Sequence, residues 1–559
     1  MSDRISTMAP PATQSDPGSD SALVAQKKLL DALMQILQQQ GAKVRLIETH
    51  ISWILLTLDV AYKFKKALRL DFLDYSTPDA RHFYCDEEIR LNRRLAPDIY
   101  LGVVSITGTP QQPVIDGSGA ALEHAVKMRA FAQESLWEYR ITQTLIMPQE
   151  IDLLAHKLAV FYCAAARAPG ESAWGTLGVI AARSSKDLTE ITSLLTNSDD
   201  QRTMQALREW QASQHVALAS IFMRRKALGW IRECHGDLHC SNIITCGERI
   251  DVFDGIEFSD AMRWLDVMHD LAFIWMDLQC RGRADLAARL LNRYLQLSGD
   301  YRGLAVLRYY GVQRALVRCK VALLRSLQVG GDTAAQATVE AKKYLAFAAH
   351  AIAPAATATA VTTAAILITH GFSGSGKSTL CVALVELLGA VQVRSDIERK
   401  RLHAMAPTEK AAAEPGAGIY GPRANRACYW RIRRLARDIA IAGMPVIVDA
   451  AFLQRAQRRQ LQQLAHALDV PFFIIDVHAN LATLRARVVE REHSGNDASD
   501  AGLGVLEHQL ATHEPLGTDE LPDVIKVDSE HAMDQATLNL TFSKVLRALR
   551  GQTSELGTG

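Results

Sequence analysis

The stretch HGDLHCSN, from His235 to Asn242, runs straight into IITCGERIDVFDG and decides how the first two thirds of this chain are interpreted. An aspartate and an asparagine stand five residues apart in it, behind a His-Gly pair. Enzymes that transfer phosphoryl groups need a carboxylate beside the attacking hydroxyl and metal ligands beside the phosphates. The spacing H-x-D-x-x-x-x-N supplies Asp237 as that carboxylate and Asn242 as one ligand.

The second metal ligand is predicted to come from the chain that follows. IIT and IDVF are short apolar runs, and CGER between them is a turn that contains glycine, so the pattern predicts a hairpin. A hairpin returns Asp254 towards Asn242. An amide oxygen and a carboxylate are the hard oxygen donors that Mg²⁺ prefers. We therefore predict Asp237 beside the attacking hydroxyl and Asn242 with Asp254 as metal ligands.

Upstream, an apolar strand predicted at VAYK ends on a lysine. Lys63 is placed there to contact the α- and β-phosphates of ATP, and Glu88, on a predicted helix, is placed to pair with it. Two alternatives stay open at this point. Lys65 lies on the same face of the strand, and Glu87 is the neighbour of Glu88.

HGDLHCSN together with VFDGIEFSDAMRWLDVMHDLAF resembles the aminoglycoside phosphotransferase and choline kinase superfamily. ETHISW, AYKFKK and DEEIRLNRRLAPDIYLGV resemble, more narrowly, a bacterial fusion family in which such a domain precedes a P-loop, AAA-type ATP-binding domain. The resemblance covers nearly the whole chain except its tails. It implies an α+β protein-kinase-like fold with a small β-rich lobe and a helical lobe. The roles it implies are Asp237 as base, Asn242 and Asp254 as Mg²⁺ ligands, Lys63 as phosphate lysine, and Asp270 bracing the catalytic loop with support from Asp266.

Two features depart from the protein-kinase pattern. ETHISWILL, where a glycine-rich loop is expected, contains no glycine, so the phosphates there are approached less closely or through side chains such as Thr49 and Ser52. Gly255 also replaces the aromatic residue that follows the metal aspartate in protein kinases. Both departures fit small-molecule kinases better.

A second stretch, GFSGSGKS, is a phosphate-binding loop of a different design. It satisfies G-x-x-x-x-G-K-[ST] between an apolar strand, AILITH, and a predicted helix, TLCVALVELLG. Its glycines allow backbone N–H groups to face the phosphates at the helix N-terminus. Lys377 is predicted to reach the β- and γ-phosphates, and Ser378 to ligate Mg²⁺. The predicted ATP-binding residues are Gly371, Ser373, Gly374, Ser375, Gly376, Lys377, Ser378 and Thr379.

The chain after this loop favours a kinase. VQVRSD places Asp396 at the end of a second strand as a catalytic residue, and VIVDAAF places Asp449 at the end of a third as a metal residue. RARVVER carries Arg485, Arg487 and Arg491 at helical spacing, where arginines could neutralise charge on the transferred phosphoryl group. Of these, Arg485 is predicted to contact ATP; a solvated helix face is the alternative. This half resembles small P-loop kinases such as gluconate, shikimate and polynucleotide kinases, and zeta-type toxins.

Composition sets the wider limits. A chain of 559 residues, 48% hydrophobic and 22% charged, is expected to form two to four domains. Strand–helix alternation in the second half predicts an α/β P-loop NTPase domain with a parallel sheet. The predicted divisions are a disordered tail at 1–22, a kinase-like domain at 23–350, a linker at 351–364, a P-loop kinase-like domain at 365–550 and a tail at 551–559.

The same numbers limit location and partners. Nine scattered cysteines and the lack of a recognisable signal peptide or transmembrane segment predict a cytoplasmic protein with reduced thiols. A net charge of +1 argues against membrane surfaces and nucleic acid as partners. ATP and Mg²⁺ are the expected cofactors, small hydroxylated molecules are the expected substrates, and the oligomeric state is left open.

Three hypotheses about function follow. The first is a bifunctional ATP-dependent phosphotransferase that acts on small alcohols of the aminoglycoside, sugar or amino-alcohol type at one site and on a second small molecule at the P-loop. The second makes the first half a nucleotide-binding regulatory module without catalysis, attached to an active P-loop kinase or ATPase. The third is a P-loop enzyme acting on RNA or nucleotide-sugar ends.

Overall fold

A computed structural model describes residues 17–70, 73–353, 364–407, 409, 417–494 and 499–550 of the chain. The C-terminal tail lies outside these residues, as do positions 1–16 of the predicted N-terminal tail and most of the predicted linker. The chain divides into two compact units: residues 1–282 with 306–349, and residues 283–305 with 350–559. None of the helices in the described ranges combines the length and hydrophobicity that crossing a bilayer requires.

The first unit begins with a β-rich part. Six strands form one antiparallel sheet, and two short strands pair beside it. The strands are β1 (Arg45–Glu48), β2 (Ser52–Leu56), β3 (Val60–Lys65), β4 (Arg69–Leu70), β5 (Leu73–Asp74), β6 (Tyr100–Thr109), β7 (Gln112–Ile115) and β8 (Glu123–Arg129). In the large sheet they follow the order β1-β2-β3-β8-β6-β7.

Two helices cover the large sheet, because alternate side chains of its strands are apolar on both faces. They are α1 (Pro17–Gln39) and α2 (Pro78–Asn92). Leu30 of α1 packs with Trp53 and Phe64, whereas Cys85 of α2 packs with Val126 in a separate cluster. The N-terminus of α2 is set by a threonine cap at position 77 and a proline in the first turn.

The rest of the first unit is mainly helical and contains the HGDLHCSN and IITCGERIDVFDG stretches. Its helices are α3 (Trp137–Thr142), α4 (Pro148–Ala164), α5 (Leu177–Leu194), α6 (Ser198–Ala217), α7 (Ala219–Ala227), α8 (Asp260–Arg263), α9 (Val267–Cys280), α11 (Leu304–Gln328) and α12 (Gly331–Ile352). The short strands β9 (Ile231–Glu233) and β12 (Trp264–Asp266) pair with each other, and β10 (Ile243–Cys246) pairs with β11 (Arg249–Val252). The β10–β11 pair is the predicted hairpin. This unit has the predicted α+β kinase-like fold.

The second unit is built on a five-stranded parallel sheet in the order β14-β15-β13-β16-β17. Its strands are β13 (Ile366–His370), β14 (Val391–Arg394), β15 (Val446–Asp449), β16 (Phe472–His478) and β17 (Val524–Asp528). Its helices are α10 (Ala284–Ser298), α13 (Lys377–Leu388), α14 (Ser395–Leu402), α15 (Pro422–Ile441), α16 (Arg455–Ala467), α17 (Leu481–Ser494), α18 (Leu503–Thr512), α19 (Gln535–Thr541) and α20 (Ser543–Leu549). The predicted α/β P-loop domain with a parallel sheet is confirmed, and β17 is an additional strand that the sequence pattern did not indicate.

Helix α10 comes from the middle of the first unit's sequence but packs in the second unit. Asn292 Oδ1 accepts the backbone N–H of Gln392 in β14 at 2.8 Å, which satisfies a donor on an edge strand. Gln296 donates to the Gln392 side chain at 3.0 Å, and Arg289 pairs with Glu386 of α13 at 2.6 Å. The compact unit around the P-loop therefore includes a segment that lies before the predicted boundary at 365.

Candidate active sites

Three elements of the first unit converge on Lys63. The Lys63 ammonium, on β3, lies 2.8 Å from Glu88 of α2 and 2.5 Å from Asp254, which follows β11. The Glu88 side chain is fully buried, and about a tenth of Lys63 and of Asp254 is exposed. The structure therefore brings together the predicted phosphate lysine, its glutamate partner and a predicted metal ligand.

The neighbouring lysine completes a buried ionic cluster. Lys65 lies 2.7 Å from the second oxygen of Glu88 and also pairs with Glu257. Burial alone raises the pKa of Glu88, but Lys63 and Lys65 together hold it at about 2. Of the two lysines, Lys63 lines the cleft described below. Glu87 forms an ion pair with Arg90 at 2.8 Å. The geometry thus favours Lys63 and Glu88 over the alternatives.

The predicted catalytic loop, residues 235–242, fixes one oxygen of Asp237 and leaves the other unbound. Asn242 donates its amide hydrogens to the Asp237 carbonyl at 3.0 Å and to Oδ2 at 3.1 Å. Nδ1 of His239 accepts the N–H of Ser241, so a neutral ring carries its proton on Nε2, 3.3 Å from Asp237 Oδ2. Among the described residues, Asp237 Oδ1 has no hydrogen-bond partner. Burial raises the pKa of Asp237, but His239 and then Arg318 lower it to about 2, so the carboxylate is ionised at neutral pH.

A carboxylate beneath this loop holds its backbone. Asp270 of α9 accepts the N–H groups of His235 at 3.0 Å and Gly236 at 2.9 Å, which is the bracing position that the resemblance implies. Gly236 has a φ of 86°, and a Cβ there would lie 2.8 Å from the Met262 carbonyl. Asp266 instead forms a bidentate pair with Arg225 at 2.6 and 2.8 Å.

One cleft is lined by Lys63, Asp237 and Asp254, and its volume is about 1290 Å³ when its open mouth is included. Much of its wall is apolar, which suits a nucleotide base; the apolar residues include Ile47, Ile54, Leu56, Met128, Phe131 and Phe253. Thr49 and Ser52, expected to replace a glycine-rich loop, also line it. The Thr49 hydroxyl closes its own turn with the Ser52 backbone at 2.9 and 3.0 Å, so it is committed to that turn.

Asp254 in this cleft, and Asn242, which is hydrogen-bonded to the cleft residue Asp237, offer donors that suit a magnesium ion. Both side-chain hydrogen bonds of Asn242 described above use the amide nitrogen, which leaves Oδ1 for a cation. Asp254 contributes a carboxylate, held by Lys63. Oxygen donors of this kind, together with nucleotide phosphates, are what Mg²⁺ takes in kinase sites.

The P-loop of the second unit adopts the geometry its glycines permit. Gly371, Gly374 and Gly376 have φ values of 140°, 84° and 83°. A Cβ on Gly371 would lie 2.3 Å from the Val477 carbonyl, so only glycine fits there. Helix α13 begins at Lys377, two residues before the predicted start at Thr379.

The lysine and serine of this loop have defined partners. The Lys377 ammonium donates to the Phe372 carbonyl at 2.6 Å and lies 3.3 Å from the Ser375 hydroxyl. Burial lowers the pKa of Lys377 to about 8. Ser378 donates to Asp449 Oδ2 at 2.8 Å, which places the two predicted metal residues together. A hydroxyl and a carboxylate in contact match the Mg²⁺ donors of P-loop enzymes.

Most of the predicted second-site residues line one cleft, whose volume is about 2240 Å³ when its open mouth is included. Those that line it are Ser373, Gly374, Gly376, Lys377, Ser378, Thr379, Asp396 and Asp449. Burial raises the pKa of Asp396. Arg485 is not brought to the cleft: its side chain is half exposed and pairs with Glu507 at 2.8 Å. Arg487 and Arg491, on another face of α17, line it instead, so the placement of Arg485 is corrected.

Sequence reasoning missed one supporting residue in this site. Gln392 of β14 donates to Asp449 Oδ2 at 2.8 Å, and Arg394 of the same strand lies 3.7 Å from that carboxylate. A glutamine between two valines in a short apolar strand was the available signal. A buried side chain of this kind needs a hydrogen-bond partner, which here is the predicted metal ligand.

Comparison with known proteins gives several matches. Residues 366–516 match the model of an AAA domain family. Over 195 residues the chain is 30% identical to an adenylyl-sulfate kinase of Myxococcus xanthus, a match that covers 33% of this chain and 90% of that protein. A choline kinase structure from Cryptosporidium parvum aligns with 57% of this chain and 95% of that chain, at 11% identity and a TM-score of 0.38.

Fold and sites together define a class: an α+β kinase-like unit joined to a P-loop kinase-like unit. Over 462 residues the chain is 30% identical to the uncharacterized protein Rv2004c of Mycobacterium tuberculosis, covering 81% of this chain and 87% of that protein. The chain belongs to the same bacterial fusion family as that protein.

Proposed function

We propose that the chain is an ATP-dependent phosphotransferase with two separate sites, each of which transfers the γ-phosphate of ATP to a hydroxyl group of a small molecule. One observation carries the proposal: in each unit, a lysine and two carboxylates line a single cleft. The two sets are Lys63, Asp254 and Asp237 in the first unit, and Lys377, Asp449 and Asp396 in the second. The hydroxylated acceptors of this class include aminoglycosides, sugars and amino alcohols.

In the first site, we assign each residue a role from its position. Lys63, oriented by Glu88, holds the α- and β-phosphates, while Asn242 and Asp254 hold Mg²⁺. Bound Mg²⁺ neutralises negative charge on the β- and γ-phosphates. Asp237 uses its unbound oxygen to orient the acceptor hydroxyl and accept its proton. His239 and Asn242 keep the other oxygen in place, so the base is oriented before the acceptor arrives.

In the second site, the P-loop backbone and Lys377 bind the phosphates, and Ser378 with Asp449 holds the metal. Asp396 orients the second acceptor. Arg487 and Arg491 are placed to neutralise charge that develops on the transferred group. This assignment replaces Arg485 with its two neighbours on α17.

A second candidate function is favoured by the glycine-free turn between β1 and β2. Because Thr49 closes that turn with its own side chain, the loop offers less backbone to the phosphates. The first unit would then bind a nucleotide as a regulatory module, without catalysis. Mg²⁺-dependent ATP binding by this unit without transfer to any hydroxyl compound would favour this candidate.

The test is phosphate transfer from labelled ATP to a panel of sugars, aminosugars and nucleosides by Asp237→Asn, Lys377→Ala and the double variant. Each single change is expected to lower one transfer reaction by about 10²- to 10⁴-fold and to spare the other, since the sites are separate. Asp59→Asn, at an exposed aspartate on the turn between β2 and β3, is the matched control. If neither single change affects any transfer, the proposed function is wrong.

A further inference from the structure

One buried arginine of the second unit lines the P-loop cleft close to Asp396. Arg399 is 6% exposed, and it lies three positions after Asp396 on α14. Both side chains line the cleft. Residues three apart on a helix lie on one side of it, with Cβ atoms about 5–6 Å apart. A small molecule whose hydroxyl group contacts Asp396 can therefore place another group beside Arg399.

Neutral groups hold the Arg399 guanidinium in position. Nη1 donates to the Ile419 carbonyl at 3.0 Å, and Nη2 donates to the side-chain oxygen of Asn425 at 2.8 Å. The guanidinium also lies over the Tyr420 ring, 5.1 Å from the ring centroid. Within the described residues, Nε of Arg399 has no hydrogen-bond partner. The side chain is thus oriented by the protein and still has an unused donor.

The carboxylates around Arg399 have other partners. Glu398, the preceding residue, pairs with two other arginines. Asp500, which also lines the cleft, accepts from Lys400 at 3.1 Å and from the Tyr420 hydroxyl at 2.8 Å. Across the described ranges, no carboxylate forms an ion pair with Arg399. A buried charge without a counter-charge is costly, so a negatively charged group on a ligand would stabilise this arginine.

The order of strands in the sheet separates Arg399 from the P-loop. Helix α14 follows β14, whereas the P-loop follows β13, and β15 lies between these two strands. Neighbouring strands are about 4.8 Å apart, so the ends of β14 and β13 are roughly 10 Å apart. The hydrogen-bond partners of Arg399 given above lie outside the P-loop, residues 371–379. Arg399 is therefore placed to contact the acceptor, and the P-loop to contact ATP.

We propose that the acceptor of the second site is a hydroxyl compound that carries a carboxylate or phosphate group, bound by Arg399 while its hydroxyl group contacts Asp396. This inference rests on the proposed function of that site and narrows its substrate class. In the reaction, the acceptor oxygen forms a bond to the γ-phosphorus as the bond from that phosphorus to the bridging oxygen of ADP breaks. The hydroxyl proton passes to Asp396, and ADP leaves.

The test uses the full chain with Asp237→Asn, so that transfer reports the second site. Two matched acceptor sets are offered with labelled ATP and Mg²⁺: glucose 6-phosphate, gluconate, glucose and glucosamine; and glycerol 3-phosphate, glycerate, glycerol and 3-aminopropane-1,2-diol. The expected result is transfer to an anionic member of a set, at least about tenfold above its neutral and cationic counterparts. The phosphate and carboxylate members distinguish the two anion types.

Variants of Arg399 add a second readout. Arg399→Gln should raise the KM of the anionic acceptor by about 10- to 100-fold and leave the KM of ATP unchanged, with partial recovery in Arg399→Lys. Arg434→Gln, at an exposed position of α15 outside the cleft lining, is the matched control and should change neither. The panel itself needs no change at Arg399, so it remains decisive if Arg399→Gln fails to fold.

The outcomes separate the two proposals. Preferred transfer to glucosamine, the amino diol or the neutral members, lost when Lys377→Ala is added, overturns the anionic acceptor and leaves the proposed function intact. Loss of preference for the anion in Arg399→Gln supports the assignment, whereas a raised KM for ATP alone would place Arg399 at the nucleotide and overturn it. Absence of transfer to every member of both sets overturns phosphotransfer at this site and the anionic acceptor with it.

Discussion

At the scale of single residues, Glu88 is the counter-charge for two buried lysines. It lies 2.8 Å from Lys63 and 2.7 Å from Lys65, and its side chain has no exposed surface. Removing one partner from a buried ionic cluster leaves uncompensated charge, which usually costs more than the intact pair contributes. Glu88 therefore supports both the fold of the β-rich part and the orientation of Lys63, the predicted phosphate lysine.

We expect Glu88→Gln to lower the free energy of unfolding by about 3 kcal/mol. The folded pKa of Glu88, about 2, lies below its ordinary 4.5, so its stabilisation is complete above pH 4.5 and is lost as the pH falls towards 2. The difference in the free energy of unfolding between wild type and Glu88→Gln, measured by urea unfolding, should consequently become smaller below pH 4.5. Glu87→Gln is the control, because that side chain is partly exposed and pairs with Arg90. Equal losses in both variants would contradict the assignment.

The predicted phosphate lysines of the two proposed sites differ in their surroundings. Lys63 has carboxylates on two sides, Asp254 and Glu88, which together outweigh the effect of burial and raise its pKa well above the ordinary value. Lys377 donates to a carbonyl and a hydroxyl, and burial lowers its pKa to about 8. The two sites are thus expected to respond differently to alkaline pH.

We predict that ATP affinity at the P-loop site falls as the pH rises above about 8, because free Lys377 loses its proton there while bound phosphates favour the charged form. Binding above this pH should take up a proton, which calorimetry in buffers of different ionisation enthalpy detects. The measurement uses Lys63→Met, so that the P-loop site alone is observed. Lys377→Arg keeps its charge and should remove the pH dependence. A P-loop affinity that is flat from pH 7 to 9.5 would rule the prediction out.

At the scale of elements, α10 is part of the core of the second unit. Ala288 belongs to the same buried cluster as Leu384 and Leu388 of α13, and Asn292 and Gln296 bind Gln392. Gln392 in turn donates to Asp449, which Ser378 contacts. The helix therefore stabilises the sheet and, through one glutamine, orients the proposed metal ligand.

Ala288→Asp is expected to destabilise the second unit by about 3 kcal/mol, since it buries an unpaired charge among apolar side chains. Hydrogen exchange of peptides from 366–550 should accelerate accordingly. Ala284→Asp, an exposed first-turn position of the same helix, is the control, and a carboxylate there interacts favourably with the helix dipole. Unchanged exchange in Ala288→Asp would show that α10 is dispensable for this unit.

At the scale of the whole molecule, each unit has its own buried core and its own cleft lined by predicted phosphate-binding residues. A ligand that binds a folded unit stabilises that unit by mass action, about 2.7 kcal/mol at a hundred times its Kd. The protection from hydrogen exchange that a nucleotide gives at one site should therefore be measurable separately from the protection at the other.

With Lys377→Ala, ATP and Mg²⁺ should slow hydrogen exchange in peptides from 45–280 and leave 366–550 unchanged; Lys63→Met should give the reverse. Peptide-resolved exchange measures both regions in one sample. Arg308→Gln serves as the control and should show protection in both regions, because it lines neither cleft. Loss of protection in both regions from one lysine change would contradict separate sites.

Local patterns allowed much of the fold and site to be predicted. Strand β3, the hairpin β10–β11 and the P-loop between β13 and α13 follow from apolar runs and turn residues that act within a few positions. Residues at motif spacing, such as Asp237 with Asn242, were identified for the same reason. Arg485 was misplaced because helical spacing does not determine which face of α17 lies towards the cleft.

By itself, the sequence determined the two kinase-like folds, their order and the residues of both phosphate-binding motifs, because backbone geometry and motif chemistry act over short stretches of chain. Tertiary structure alone decided that Lys63, and not Lys65, lines the cleft and that α10 packs with the P-loop sheet. These outcomes depend on contacts between segments far apart in the chain, which burial and charge pairing select only when the whole chain has folded.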